Sequence, residues 1–367
     1  MKKYNTKSNV KAKNLSDILW YIVSKGKTSR REIEKDTGFS WGAVSESVSE
    51  LISRGYVVEE EKESAGVGRT AFALKPNGEE IAAIGVDMNR TEIERMVVGF
   101  DGGVKISEKV PFKAKTAEEV LSLIDEACEW GINYCKDKYR VLCVGIAVQG
   151  LVDSATGDWK SFTGIKDWKE INIPDRISKN FGVSSYVEHD PKSMLASAAA
   201  SKRRKNCLLV RADEGIGMAV MQDGKILDDS GRFELGHTVA VYRGRKCVCG
   251  RKGCLEAYSS VKAMSEIAEA GEEELFSNPE KYSEVINSSA TLAGIAISNQ
   301  MTAFAPEKVI FTGKAFGIKG YTERISEVIN EISDGQCEVG ITVERDLSAA
   351  YGSALSAIGK VIKNNEI

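Results

Sequence analysis

The sequence predicts an α/β body in two lobes, preceded by a small α+β segment. Three observations carry this. At 367 residues the chain is too long for one ordinary core and suits two or three domains of roughly 100–200 residues each. Beyond residue 78 strand-like runs alternate with helical patterns, the order of an α/β sheet protein. Residues 1–55 hold 11 Lys/Arg against 6 Asp/Glu, a balance of +5, while the remainder of the chain carries −8. A basic head on an acidic body suits a nucleic-acid partner for the head alone.

The elements follow in order. Leu15, Ile18, Leu19 and Ile22 fall at i, i+3, i+4 and i+7, the spacing of one buried helix face. Ser29 and Glu32 have the spacing of a capping box, Ile33 follows on a short second helix, and Gly38 should stop it. Val44, Val48, Leu51 and Ile52 form the inner stripe of a third helix that ends at Gly55. A short apolar run at Tyr56–Val58, a turn at Gly66-Val-Gly68-Arg69 and a second run at Ala71–Leu74 read as a hairpin. Helix, helix, helix, hairpin is the order of a winged helix-turn-helix. Pro76-Asn77-Gly78 is a turn signal and reads as a linker. In the body, strands are expected at Ile81–Met88, Ile93–Phe100, Val141–Val148, Cys207–Arg211, Ile216–Met221 and Val309–Thr312. Helices are expected at Ala117–Lys136, Pro191–Ala200, Ala290–Phe304, Ile318–Ile332 and Leu347–Ile362.

A hydrophobic content of 42%, a charged content of 28% and only six prolines exclude a disordered or collagen-like chain. The longest apolar run, Val141–Val148, is far short of the ~20 residues that span a bilayer. The basic, polar N-terminus is followed by no apolar stretch, so no membrane association and a cytoplasmic location are expected. Eight cysteines in a reducing compartment point away from disulfides.

In a helix-turn-helix the third helix lies in the major groove and its outward side chains reach base edges. Removing the inner stripe leaves Trp41, Gly42, Ala43, Ser45, Glu46 and Ser49 on or near that outer face. Serines can donate or accept, and Glu46 can accept from a cytosine amino group. Lys2, Lys3, Lys7, Lys11 and Lys13 make a basic arm for phosphates, and Arg69 at the tip of the wing suits a minor groove. The expected partner is a double-stranded DNA operator.

Three cysteines crowd into Cys247-Val-Cys249-Gly-Arg-Lys-Gly253-Cys254, and one of only two histidines, His237, lies ten residues earlier. One imidazole and three thiolates match a tetrahedral structural zinc site, with Gly250 and Gly253 letting a short loop fold round the ion.

Glu234-Leu-Gly236-His237, the cysteine cluster and Leu255-Glu256, behind a winged helix-turn-helix, resemble the sugar-responsive transcriptional regulators of the ROK family (repressor, open reading frame, kinase). The resemblance covers essentially the whole chain. It implies an actin-like, two-lobed sugar-kinase fold, with residues 1–78 as the DNA-binding domain, 79–188 plus 347–367 as the first lobe, and 189–346 as the second lobe with the zinc. It further implies assembly as homodimers or homotetramers. Glu234, His237 and Glu256 match positions that hydrogen-bond sugar hydroxyls, with His237 also binding zinc. Kinase members carry Asn-Asp ahead of a helix, the Asp being the general base. This chain reads Glu188-His189-Asp190-Pro191, so the Asp remains and His replaces the Asn, which leaves both His189 and Asp190 as sugar contacts. Asp190 also suits a helix N-cap ahead of proline.

The phosphate-binding half departs from the kinases. Their first turn carries Asp, paired glycines and Thr; here it is Asp87-Met88-Asn89-Arg90-Thr91, without the free φ angles of a tight phosphate turn. Asp213-Glu214 precede Gly215-Ile216-Gly217 where kinases have Gly-Thr, and two carboxylates repel a triphosphate. The third stretch is Thr312-Gly313-Lys314-Ala315. The expectation is therefore a repressor with a sugar or sugar-derivative effector and no catalytic activity, Asp190 being a vestigial base. The alternative is an active ATP-dependent sugar kinase with an attached DNA-binding domain.

Overall fold

The computed structural model describes residues 7–61, 72–162, 165, 167–202, 204–227, 233–334 and 339–367. It divides into two compact units, Met1–His189 with Ala349–Ile367, and Asp190–Ser348.

The first unit opens with helices α1 (Lys7–Lys25), α2 (Arg30–Thr37) and α3 (Trp41–Ser53), then an antiparallel pair, β1 (Val57–Glu61) and β2 (Phe72–Pro76). Leu15, Ile18, Leu19, Ile22, Val44, Val48 and Leu51 are all buried, so the helical spacing located the inner faces correctly. The Ser29 hydroxyl accepts from Glu32 N at 3.3 Å to start α2, and Gly38, at φ +74°, ends it. Residues 62–71, among them the expected turn Gly66-Val-Gly68-Arg69, lie outside the described residues. Pro76-Asn77-Gly78 is packed rather than loose. Asn77 is buried and donates to Gly55 O at 2.9 Å. One apolar cluster runs from Ile18, Leu51 and Leu74 through Ile81 and Phe100 to Ala354, Ile358 and Ile362.

The unit continues with β3 (Ile81–Met88), β4 (Glu92–Gly99), β5 (Val104–Pro111), α4 (Ala117–Cys135) and β6 (Arg140–Val148). A small sheet of β7 (Val152–Asp153), β8 (Asp158–Trp159) and β9 (Ile171–Asn172) leads to α5 (Ile173–Phe181) and β10 (Ser185–His189). The main sheet runs β10-β6-β3-β4-β5, with β10, β6 and β3 parallel and β4 and β5 antiparallel. Both faces of β3 are covered, which explains why its residues from Ile81 to Val86 carry no charge. Ile84 and Val86 pack in the cluster of α4, while Ile81 and Ala83 pack with the C-terminal helix, Ala349–Lys363. Gly85 and Gly145 let that helix approach: a Cβ on Gly85 would stand 2.1 Å from Ala350 O, and one on Gly145 2.0 Å from Ser353 O.

The second unit contains α6 (Asp190–Lys202), β11 (Cys207–Ala212), β12 (Ile216–Gln222), β13 (Lys225–Ile226), a 3-10 turn at Leu235–His237, α7 (Glu256–Ser259), α8 (Val261–Ala268) and α9 (Glu272–Ser277). It ends with α10 (Ser283–Phe304), β14 (Lys308–Thr312), α11 (Tyr321–Ile332) and β15 (Gly340–Val343). The sheet order is β13-β12-β11-β14-β15, with β11, β14 and β15 parallel. Leu208, Val210, Ile297, Phe311 and Ile325 form its core. The helix expected from Ile318 starts only at Tyr321, because Lys314–Gly317 takes a 3-10 turn first. Among the described residues no helix is long and apolar enough to cross a membrane.

Candidate functional site

The metal-ligand types assemble as the spacing predicted. One ligand atom from each of His237, Cys247, Cys249 and Cys254 lies within 4.8 Å of every other. His237 Nδ1 is 3.6 Å from Cys247 Sγ, and Cys249 Sγ is 3.7 Å from Cys254 Sγ. Ligands tetrahedral about zinc at the usual bond lengths stand about 3.5 Å apart for N···S and about 3.8 Å for S···S. The donor set therefore fits zinc in both chemistry and size. Gly250 (φ +88°) and Gly253 (φ +82°) supply the two left-handed turns of the loop, and a Cβ on Gly253 would stand 1.8 Å from Val241 O. Burial raises the pKa of Cys249, but hydrogen bonds from the backbone and guanidinium of Arg251 and from Cys247 and Cys254 together hold the thiol below its ordinary value, while burial pushes Cys247 and Cys254 up. A thiolate is the form a metal takes.

The same loop organises the candidate sugar residues of the second unit. Glu234 and His237 flank one 3-10 turn, closed by His237 N to Glu234 O at 2.9 Å. Leu255 N donates to Thr238 O at 2.9 Å, which ties that turn to the start of α7, where Glu256 is the first residue. Glu256 Oε2 accepts from Ile216 N at 3.0 Å. Gly215 leaves room for this carboxylate, since a Cβ there would stand 2.9 Å from it. Asp190 opens α6, is buried, and forms an ion pair with Arg211. His189 ends β10 in the first unit, beside Glu188, which accepts from Ser154 Oγ and pairs with Lys360 at 3.4 Å.

In each of the three stretches expected to correspond to kinase phosphate turns, at least one backbone amide has a side-chain acceptor. In the first, Asn89 Oδ1 accepts from both Thr91 N and Glu92 N at 2.9 Å. In the second, Ile216 N is taken by Glu256, and in the third, Lys314 N donates to Asp213 Oδ1 at 2.6 Å. Sequence reasoning did not find these acceptors. It also missed Arg211, although a lone arginine in the apolar strand Cys207–Ala212 is a visible signal.

On α3, the Ser40 hydroxyl accepts from Ala43 N at 3.3 Å and sets the helix start. Trp41 is 48% exposed, Gly42, Glu46 and Ser49 are exposed, and Ala43 and Ser45 are half-buried. Ser47, absent from the expected inner stripe, is buried, while Ile52 is only half-buried. Glu46 is engaged by Lys11 at 2.9 Å, and Lys11 also reaches Glu50 at 3.1 Å. A base contact by Glu46 therefore competes with this exposed pair.

The description "ROK family" matches residues 83–362. The xylose repressor of Bacillus subtilis (strain 168) is 24% identical over 372 residues, covering 96% of this chain and 92% of the relative. The DNA-binding transcriptional repressor Mlc of Escherichia coli (strain K12) is 25% identical over 267 residues, covering 71% of this chain and 66% of the relative. Among solved structures, a ROK family transcriptional regulator described as a homologue of E. coli Mlc superposes with a TM-score of 0.81 at 22% identity, covering 97% of each chain. A glucokinase from Streptomyces griseus, in complex with glucose and AMPPNP, superposes at 0.64 and 20% identity, covering 75% of this chain and 99% of the kinase.

Proposed function

The chain belongs to the ROK family, and on that premise we propose that it is a DNA-binding transcriptional repressor whose kinase-like body senses a sugar or sugar derivative. The observation that carries the reading is the three-helix and hairpin segment ahead of the family body, with the outer face of α3 exposed. The full-length likeness to a xylose repressor supports it. In this reading residues 1–78 bind an operator, a homodimer or homotetramer presents paired recognition helices, and the body in two lobes, 79–188 with 347–367 and 189–346, binds the effector.

His237, Cys247, Cys249 and Cys254 would hold a structural zinc, whose contribution is to fix the fold of the loop. His189, Asp190, Glu234, His237 and Glu256 would contact the sugar, since a carboxylate accepts from a hydroxyl while an imidazole can donate or accept. Trp41, Gly42, Ala43, Ser45, Glu46, Ser49 and Arg69 would face DNA. An effector changes operator affinity only through differential affinity for two arrangements of the protein.

The likeness to glucokinase favours catalysis as the second reading. Against it, phosphoryl transfer depends on positioned phosphates and stabilised charge. Asn89 takes the amides of the first turn, and the Asp213 carboxylate takes Lys314 N. A coupled assay with magnesium-ATP and a panel of sugars separates the two. The repressor reading expects no sugar-dependent ADP release, and release at ordinary kinase rates would establish the enzyme.

A further inference from the structure

Arg211 is the one charged residue of β11, Cys-Leu-Leu-Val-Arg-Ala. Its side chain is 12% exposed and spans two carboxylates. Nε donates to Asp213 Oδ2 at 2.7 Å, and Nη1 pairs with Asp190 Oδ2, itself in a side chain only 5% exposed. Asp213 cannot shift easily. Its other oxygen holds Lys314 N, its backbone N–H donates to Gly215 O at 2.9 Å, and its carbonyl accepts from Val261 N at 2.8 Å. A guanidinium presents its donors in a rigid plane and so fixes the direction of each carboxylate it meets.

We propose that Arg211 is a positioning residue of the sugar site, bracing Asp190 against Asp213 so that the Asp190 carboxylate acts as a fixed acceptor for a sugar hydroxyl. The inference rests on the sugar-sensing reading above. A general base becomes neutral when it takes a proton, and here that would strip a buried guanidinium of one charged partner, a costly change. An acceptor remains charged and keeps the brace. The pairing accounts for a kinase-type Asp in a chain whose phosphate turns hold their own acceptors: the carboxylate serves recognition.

The test is calorimetry of the full-length protein with xylose, glucose and N-acetylglucosamine, the sugars named for the xylose repressor, the glucokinase complex and a further relative, the N-acetylglucosamine repressor of Escherichia coli. For a sugar that the wild type binds, Arg211→Gln should weaken binding by about tenfold or more. Arg211→Lys keeps the charge but cannot span both carboxylates in one plane, and should lose an intermediate factor. In an Asp190→Asn background, Arg211→Gln should add less than about twofold, because both changes remove one interaction. A merely structural role predicts that the two losses multiply. Multiplying losses, or unchanged affinity in Arg211→Gln, would overturn the proposal and leave sugar sensing intact. A wild type that binds none of the three overturns the proposal together with the reading beneath it. If Arg211→Gln does not fold, the Arg211→Lys cycle gives the same discrimination.

Discussion

The backbone of Gly359 lies under the indole of Trp20, so close that a Cβ at 359 would stand 3.0 Å from Trp20 Cζ3. Lys363 completes this seat with its ammonium 4.8 Å from the centre of the ring. Trp20 belongs to α1 and Gly359 to the C-terminal helix. The next residue, Lys360, reaches Glu188 at 3.4 Å, beside His189. One helix thus touches α1 and the strand that ends at a candidate sugar residue.

Gly359→Leu should push Trp20 from its seat and destabilise the protein by about 1–3 kcal/mol, the usual cost of overpacking. Urea denaturation of the full-length protein measures this. Unchanged stability would mean that Trp20 moves aside freely and that the contact holds little.

One zinc per chain is expected by elemental analysis of protein purified without chelator. Cys247→Ser should lose the metal and lower thermal stability, because metal binding and loop folding are coupled. It should also weaken the sugar response indirectly, through the link from the loop to Glu256. Wild-type protein that is free of zinc would end this claim.

Duplex binding should fall steeply with salt, through the lysines of α1 and the wing. Arg69→Ala should weaken binding broadly. Ser45→Ala or Ser49→Ala should instead relax preference at one base pair, by about 1–3 kcal/mol where the hydroxyl bonds a base edge. Point variants are the right tool, since deleting residues 1–75 would also bare Ile358 and Ile362, which share a core with α1. Serine variants with an unaltered selected sequence would exclude α3 as the reading element.

Glu234→Ala should weaken sugar binding about tenfold or more, the loss of a hydrogen bond to a charged group. It should abolish the sugar-dependent change in operator affinity and leave sugar-free operator binding intact. Retained sugar response in this variant would remove Glu234 from the site.

The sequence made the periodic elements legible. Leu15 to Ile22 and Val44 to Leu51 announced two helix faces because burial on one side imposes a 3.6-residue repeat. The grouping of His237, Cys247, Cys249 and Cys254 was legible because three of the four crowd into one short stretch of sequence. Strand β5 was not, since Val104–Pro111 is a largely exposed edge in which Glu108 interrupts the short alternation of Val104, Ile106 and Val110. Nor were the acceptors Asn89 and Asp213. That Asn89 would turn back on Thr91 and Glu92, or Asp213 reach Lys314, depends on loop geometry and on contacts distant in sequence. The pairing of Arg211 with Asp190 likewise joins the start of α6 to β11.

Fluorescence anisotropy of the full-length protein, on a duplex selected from a random pool, tests the central claim most directly. The titration is run at fixed salt, with and without xylose, glucose and N-acetylglucosamine. The account predicts sequence-specific binding whose affinity one sugar changes by about tenfold or more, a coupling of about 1.4 kcal/mol. Binding no tighter than to unrelated duplex, or specific binding that no sugar shifts in a protein shown to bind that sugar, would contradict it.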